Sequence, residues 1–210
     1  MLFRSYLYRQ RFLPALPTAI GQLFRLNLRQ MLCVLDFYLA IALCIVGMSY
    51  RFLSRHPDPA AYPILAVLIA LATSTYAQSL FGLDGPGGLT WYRVLPLRGW
   101  RILLAKDAAY MTLVCLLTLP LELKAGITFG LLALAIGRYP SLILKIAQRK
   151  WLFASGDVRF GATQIFFASG IAFAASQGGM LFLGIAFLAY AISLGAGGWY
   201  WDRTKVSSKN

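Results

Sequence analysis

Residues 160 to 201 contain no Asp, Glu, Lys, Arg or His. The hydrocarbon core of a bilayer is about 30 Å thick and takes roughly 20 helical residues per crossing, so a charge-free stretch of 42 residues is long enough for two spans. Gln177-Gly178-Gly179 supplies a turn between them. Charge is scarce throughout. Only 13% of residues are charged and seven are acids, against about 25% charged in ordinary globular chains. With 59% hydrophobic residues and a mean hydropathy of +0.66, this pattern excludes a soluble core and predicts an all-α, polytopic integral membrane protein.

Other absences narrow the chemistry. The single histidine, His56, falls between the first two apolar runs, whereas Ser155 is expected on the opposite side of the membrane, so an intramembrane Ser-His pair is not formed. Asp84-Gly85 is followed by no second Asp-rich turn of the kind a metal-dependent lipid-headgroup transferase needs. The glycines of Gly82 to Gly88 lead into Leu89-Thr90 and not into the lysine of a phosphate-binding loop. Cys33, Cys44 and Cys115 all lie in apolar runs as small apolar side chains, without a disulfide framework or metal spacing. The first 30 residues carry five arginines with no separate apolar core, so no cleavable signal is expected there. They read as an interfacial amphipathic segment over 1–30, with a disordered leader as the alternative.

What is present is a series of apolar runs. Spans are expected at about 31–50, 62–83, 103–121, 125–144, 161–177 and 178–201. Cytoplasmic loops are expected at 84–102 and 145–160, and a cytoplasmic tail at 202–210. The fourth span is the weakest, because Ala125 to Gly137 is apolar for only 13 residues before Arg138. It reads either as a tilted crossing continued through Tyr139 to Leu144, or as half of a re-entrant hairpin around Pro120.

The basic residues test this count, since short cytoplasmic loops retain Lys and Arg. With six spans and both termini cytoplasmic, seventeen of the 20 basic residues fall on one side. The other side keeps Arg51, Arg55 and Lys124. Dropping any one crossing mixes the two classes. The net charge of +13 is thereby assigned to anionic lipid headgroups and not to nucleic acid, for which no binding motif accompanies it.

Two segments on the basic side stand out. Leu80 to Arg101 combines a Gly/Pro turn with Trp91, Tyr92 and Trp100, and Leu97 to Lys106 reads as an amphipathic helix beginning beside Pro96. Gly137 to Gly156 again mixes basic and aromatic residues. Together they form a surface suited either to lipid contact or to docking another protein.

The stretch Phe81-Gly-Leu-Asp-Gly-Pro-Gly, followed by Leu95-Pro-Leu-Arg-Gly-Trp-Arg-Ile-Leu-Leu-Ala-Lys106, resembles bacterial ABC transporter permeases of the export type. Tyr139-Pro140-Ser141 with Gln148-Arg149-Lys150-Trp151 resembles the loop those permeases carry after their fourth span. The resemblance covers about residues 28 to 160, and the chain is shorter than many such permeases. It implies a membrane subunit of an ATP-driven exporter in the bacterial inner membrane, corresponding to the carboxy-terminal half of longer relatives or working as a homodimer or beside a second permease subunit. This chain would bind no cofactor and lack ATPase activity; ATP and Mg would sit on a separate ATPase partner. The turn residues Phe81, Gly82, Asp84, Gly85 and Pro96 and the residues Arg93, Arg98, Trp100, Arg101 and Lys106 would form the ATPase-coupling segment. The alternative is a scaffold or assembly subunit that transports nothing, and a more distant one is a lipid-modifying enzyme.

Two further expectations concern membrane depth. Asp36, Lys106 and Asp107 are the ionisable residues nearest it, marking a pathway or internal pair if buried; snorkelling to the interface is the favoured reading. The small-residue pairs Gly170/Ala174, Ala191/Gly195, Ser193/Gly197 and Ala133/Gly137 permit close helix contacts, more often within the chain than between copies.

Overall fold

The computed structural model describes residues 18–81, 92, 95–142, 149–150, 153–154, 157–178 and 180–207. Gly82, Asp84, Gly85, Arg93 and Trp151 lie outside the described residues, as do residues 1–17 and 208–210. The architecture is all-helical apart from a minimal antiparallel ladder pairing Arg149 with Ala154 and Lys150 with Phe153.

The first helix, α1 (Ala19–Leu32), starts where the Thr18 hydroxyl oxygen accepts the Gly21 amide at 3.1 Å, satisfying one orphan donor of the first turn. It buries Leu23, Asn27, Leu28, Gln30 and Met31. Cys33 and Val34 break the chain, and α2 runs Leu35–Leu53. The apolar run beginning at Met31 is therefore shared between two helices, which moves the expected start of the first long apolar helix to Leu35.

The second apolar run is not one helix. It forms α3 (Ala61–Ala72) and a short α4 (Ser74–Gln78), separated at Thr73. Thr73, Ser74 and Thr75 explain the break: the Thr73 hydroxyl donates to Ala70 O at 2.9 Å, and the Tyr76 amide closes a tighter turn on Thr73 O at 3.1 Å. At 1.5 Å per residue α3 is about 18 Å long, short of a crossing.

Helix α5 (Gly99–Thr118) takes in most of the segment read as an amphipathic helix over Leu97 to Lys106 and continues without a break through Lys106 and Asp107 into the apolar run. A turn at 119–122 leads to α6 (Leu123–Leu142), where the Arg51 guanidinium donates to Pro120 O. Helix α6 is continuous for 20 residues, about 30 Å at 1.5 Å per residue. Tyr139, Pro140 and Ser141 belong to its last turn and not to a loop. Pro140 has no amide to close on Ile136 O, so this last turn lacks one backbone hydrogen bond.

Helix α7 (Val158–Ser176) contains a π turn over Gln164–Ala168. Gly178, at φ +116°, reverses the chain in a conformation L side chains resist. Helix α8 follows, Met180–Ser207. Among the described residues four helices, α2, α6, α7 and α8, are long and apolar enough to cross a membrane.

Helix α6 is the centre of the bundle, with 78% of its apolar window buried against 22% for α2 and α7 and 17% for α8. Its small residues permit this. A Cβ at Gly137 would stand 2.6 Å from the Ala77 carbonyl, so α4 and α6 meet backbone to backbone. Gly137→Ala is expected to cost about 1–3 kcal/mol by overpacking, seen as a lower melting temperature of the detergent-purified protein. The Ser193/Gly197 pair likewise faces inward, toward Ala135 and Arg138, whereas Gly170 and Gly195 face away from the chain.

Candidate functional site

The site grows from α5, whose two ends and two sides do different things. At its start, Arg98, Trp100 and Arg101 are exposed, with the Arg101 guanidinium 5.3 Å from the Trp100 ring centre. Between them Gly99 is buried, and its amide donates to Asp202 Oδ1 of α8 at 2.8 Å. A carboxylate there satisfies an orphan amide and meets the positive end of the helix dipole. Beside this cap Trp201 is buried and stacks on Phe81 at 5.1 Å, and Phe81 meets Tyr92 edge to face at 5.8 Å. Arg203 covers Trp199 at 3.7 Å. Basic and aromatic residues from α5, α8 and residues 81 and 92 thus gather at one end of the bundle.

Two turns into α5, Lys106 and Asp107 are fully buried, 0% and 1% exposed. The favoured expectation of interfacial snorkelling is therefore corrected: both charges are met inside the protein. Lys106 Nζ donates to Asn27 Oδ1 of α1 at 2.7 Å and to Leu80 O at 2.8 Å. It also lies 4.7 Å from the centre of the Phe81 ring and 4.6 Å from that of Tyr92. Lys106 is thus held between Asn27, Leu80 O and the two rings, away from the surface.

Asp107 points the other way. Its Oδ2 accepts from Arg138 Nη2 at 2.6 Å and from Tyr190 OH at 3.0 Å. Arg138 Nε donates to Ser193 Oγ at 3.2 Å, and Ser193 Oγ donates to Ala135 O at 3.2 Å. Helices α5, α6 and α8 are tied by one buried ion pair. A charge in a dry interior is tolerated only when paired and hydrogen-bonded, which explains why Arg138 interrupts an apolar helix without ending it.

A third polar contact lies beside the π turn. Gln78 Nε2 donates to Gln164 Oε1 at 2.7 Å, and Gln164 Nε2 to Ala133 O at 3.1 Å. The wide turn brings the Gln164 amide to α4 and α6. Asp36 is also buried but belongs elsewhere, accepting from Thr75 Oγ1 at 3.4 Å. Tyr139 and Pro96 are exposed, Pro140 and Ser141 buried. Arg149 and Lys150 lie in the short ladder.

Asn27, Gln78, Gln164 and Tyr190 do not stand out in the sequence, Ser193 reads there only as a small packing residue, and Arg138 only as a basic-side charge in the fourth apolar run. Its signal was available: a lone cation breaking one apolar run and a lone acid within another are natural partners. Comparison with protein-family models, with curated proteins and with solved structures finds no match.

Proposed function

We propose that the chain is the membrane-spanning subunit of an export-type ABC transporter, driven by a separate ATPase that carries ATP and Mg. In this reading the bent α3–α4 unit and α5 join the four long apolar helices to make six spans. The termini and the basic, aromatic end face the cytoplasm of a bacterial inner membrane. The observation that carries it is the continuity of α5. One rigid helix presents Arg98, Trp100 and Arg101 to solvent and, within two turns, is keyed to α1 by Lys106 and to α6 and α8 by Asp107. A push at the exposed tip reaches the bundle core without an intervening hinge. Acidic side chains on the ATPase would pair with the two arginines, and Trp100 would be the packing anchor.

The test is co-purification. Arg98→Glu with Arg101→Glu, both on exposed positions, is expected to abolish recovery of the ATPase while membrane expression is unchanged. A photo-crosslinker at Trp100 in the otherwise unaltered protein should capture a nucleotide-binding polypeptide. Capture of lipid alone, or an ATPase complex that survives the double reversal, would assign this chain to the scaffold class.

A further inference from the structure

The start of α5 and the end of α8 are packed as one unit. A Cβ at Gly99 would stand 2.7 Å from Trp201 Cβ, and one at Gly198 would stand 3.0 Å from Trp100 Cβ, so the two helices meet at close range beside a tryptophan of each. The junction carries the same device on both sides. On α5 the Arg101 guanidinium lies over the Trp100 ring, and on α8 the Arg203 guanidinium lies over the Trp199 ring at 3.7 Å. Trp100 is 40% exposed and Trp199 58%, and both arginines are exposed. Among the described residues neither arginine side chain makes a hydrogen bond or an ion pair. The neighbouring acid, Asp202, turns its Oδ1 to the Gly99 amide instead. Both cations are therefore open to solvent and without an ion-paired counter-charge.

We infer that the end of α8 around Trp199 and Arg203 is the second half of the docking surface, engaging the same partner as the tip of α5. The inference deepens the transporter reading and rests on it. The face that fits is an acidic one on the ATPase, with a carboxylate for each Arg-over-Trp pair and an apolar seat for the two indoles. Fixed geometry favours this protein partner over lipid. Headgroups are drawn to basic residues at any spacing, whereas the Gly99 and Gly198 contacts and the Asp202 cap hold the two pairs at one separation, and Trp with Arg is the composition of an interface anchor. Helix α8 also supplies Tyr190 and Ser193 to the buried ion-pair network. A partner seated on both halves thus holds α5 to α8 at the surface, as Asp107 does inside.

Photo-crosslinkers replacing Trp100 or Trp199, each in the full chain in native membranes, are expected to capture the same nucleotide-binding polypeptide through peptides that contain Asp or Glu. Arg203→Glu should lower ATPase co-purification about tenfold, as the reversal of one close charge pair. Arg159→Glu, the same charge change at the exposed start of α7, should leave recovery unchanged, and both variants should melt like the parent. An ATPase captured from Trp100 with lipid alone from Trp199, unchanged recovery in Arg203→Glu, or an equal loss in Arg159→Glu each overturns the α8 half and leaves the transporter reading standing. Capture of no nucleotide-binding polypeptide from either position overturns the transporter reading and this surface with it.

Discussion

Asp107→Leu is expected to abolish the folded protein, and Asp107→Leu with Arg138→Met to bring it back. Removing the carboxylate alone leaves Arg138 buried at 4% exposure without its counter-charge, and strips Tyr190 OH of its acceptor. Breaking a buried ion pair on one side typically costs about 3–5 kcal/mol, a large share of a total stability of about 5–15 kcal/mol. Replacing both partners by apolar groups of similar volume avoids the orphaned charge and is often neutral. Size-exclusion profiles and melting temperatures in detergent decide the matter. Aggregation of the single variant beside a monodisperse double variant is the expected pair of results. Equal aggregation of both would mean that the pair does more than neutralise itself.

The second large effect is at Lys106. Lys106→Met keeps the length of the side chain and removes its donors, leaving Asn27 Oδ1 and Leu80 O without the charge they now meet. Hydrogen bonds to a charged group are worth about 1.5–3 kcal/mol each, and the ring contacts add to that. Release of Leu80, Phe81 and Tyr92 from Lys106 is the expected outcome, measured as faster amide exchange at these three residues while α6 to α8 remain protected. If the transporter reading holds, the same variant should keep its ATPase bound and lose transport-linked ATP turnover, because docking through Trp100 is intact but its attachment is loose. Unchanged exchange at Leu80, Phe81 and Tyr92 would remove Lys106 from this role.

Much of the helical framework is legible in hydropathy, because an apolar run of 20 residues in this composition has few alternatives to a long helix. The boundaries are less so. Met31 to Tyr50 reads as one run, yet Cys33 and Val34 divide it, since α1 needs Met31 for the contact with Tyr76 OH, which donates to Met31 O at 3.1 Å. The break at Thr73 depends on side-chain hydroxyls competing for backbone acceptors, a choice hydropathy does not register. Tyr139-Pro140-Ser141 has the composition of a loop and folds as helix, because Pro140 and Ser141 are buried in the bundle's central element. The outward tip, Arg98 to Arg101, stood out as basic and aromatic. Arg138 and Asp107 are each legible as charges inside apolar runs, but hydropathy does not say that they meet across 31 positions.

The same separation along the chain bears on biogenesis. In the six-span reading, α5 leaves the ribosome with Lys106 and Asp107 near its middle. Each charge at a helix centre opposes insertion by about 2.5–3.5 kcal/mol. Asn27 has already been made when Lys106 emerges, but Arg138 comes 31 residues after Asp107, and Tyr190 83 residues after it. Helix α5 on its own is thus a poor substrate for the insertion machinery. In that reading it is expected to insert together with α6, which brings Arg138 to Asp107, and to reach its final registration once Tyr190 of the last helix has been made.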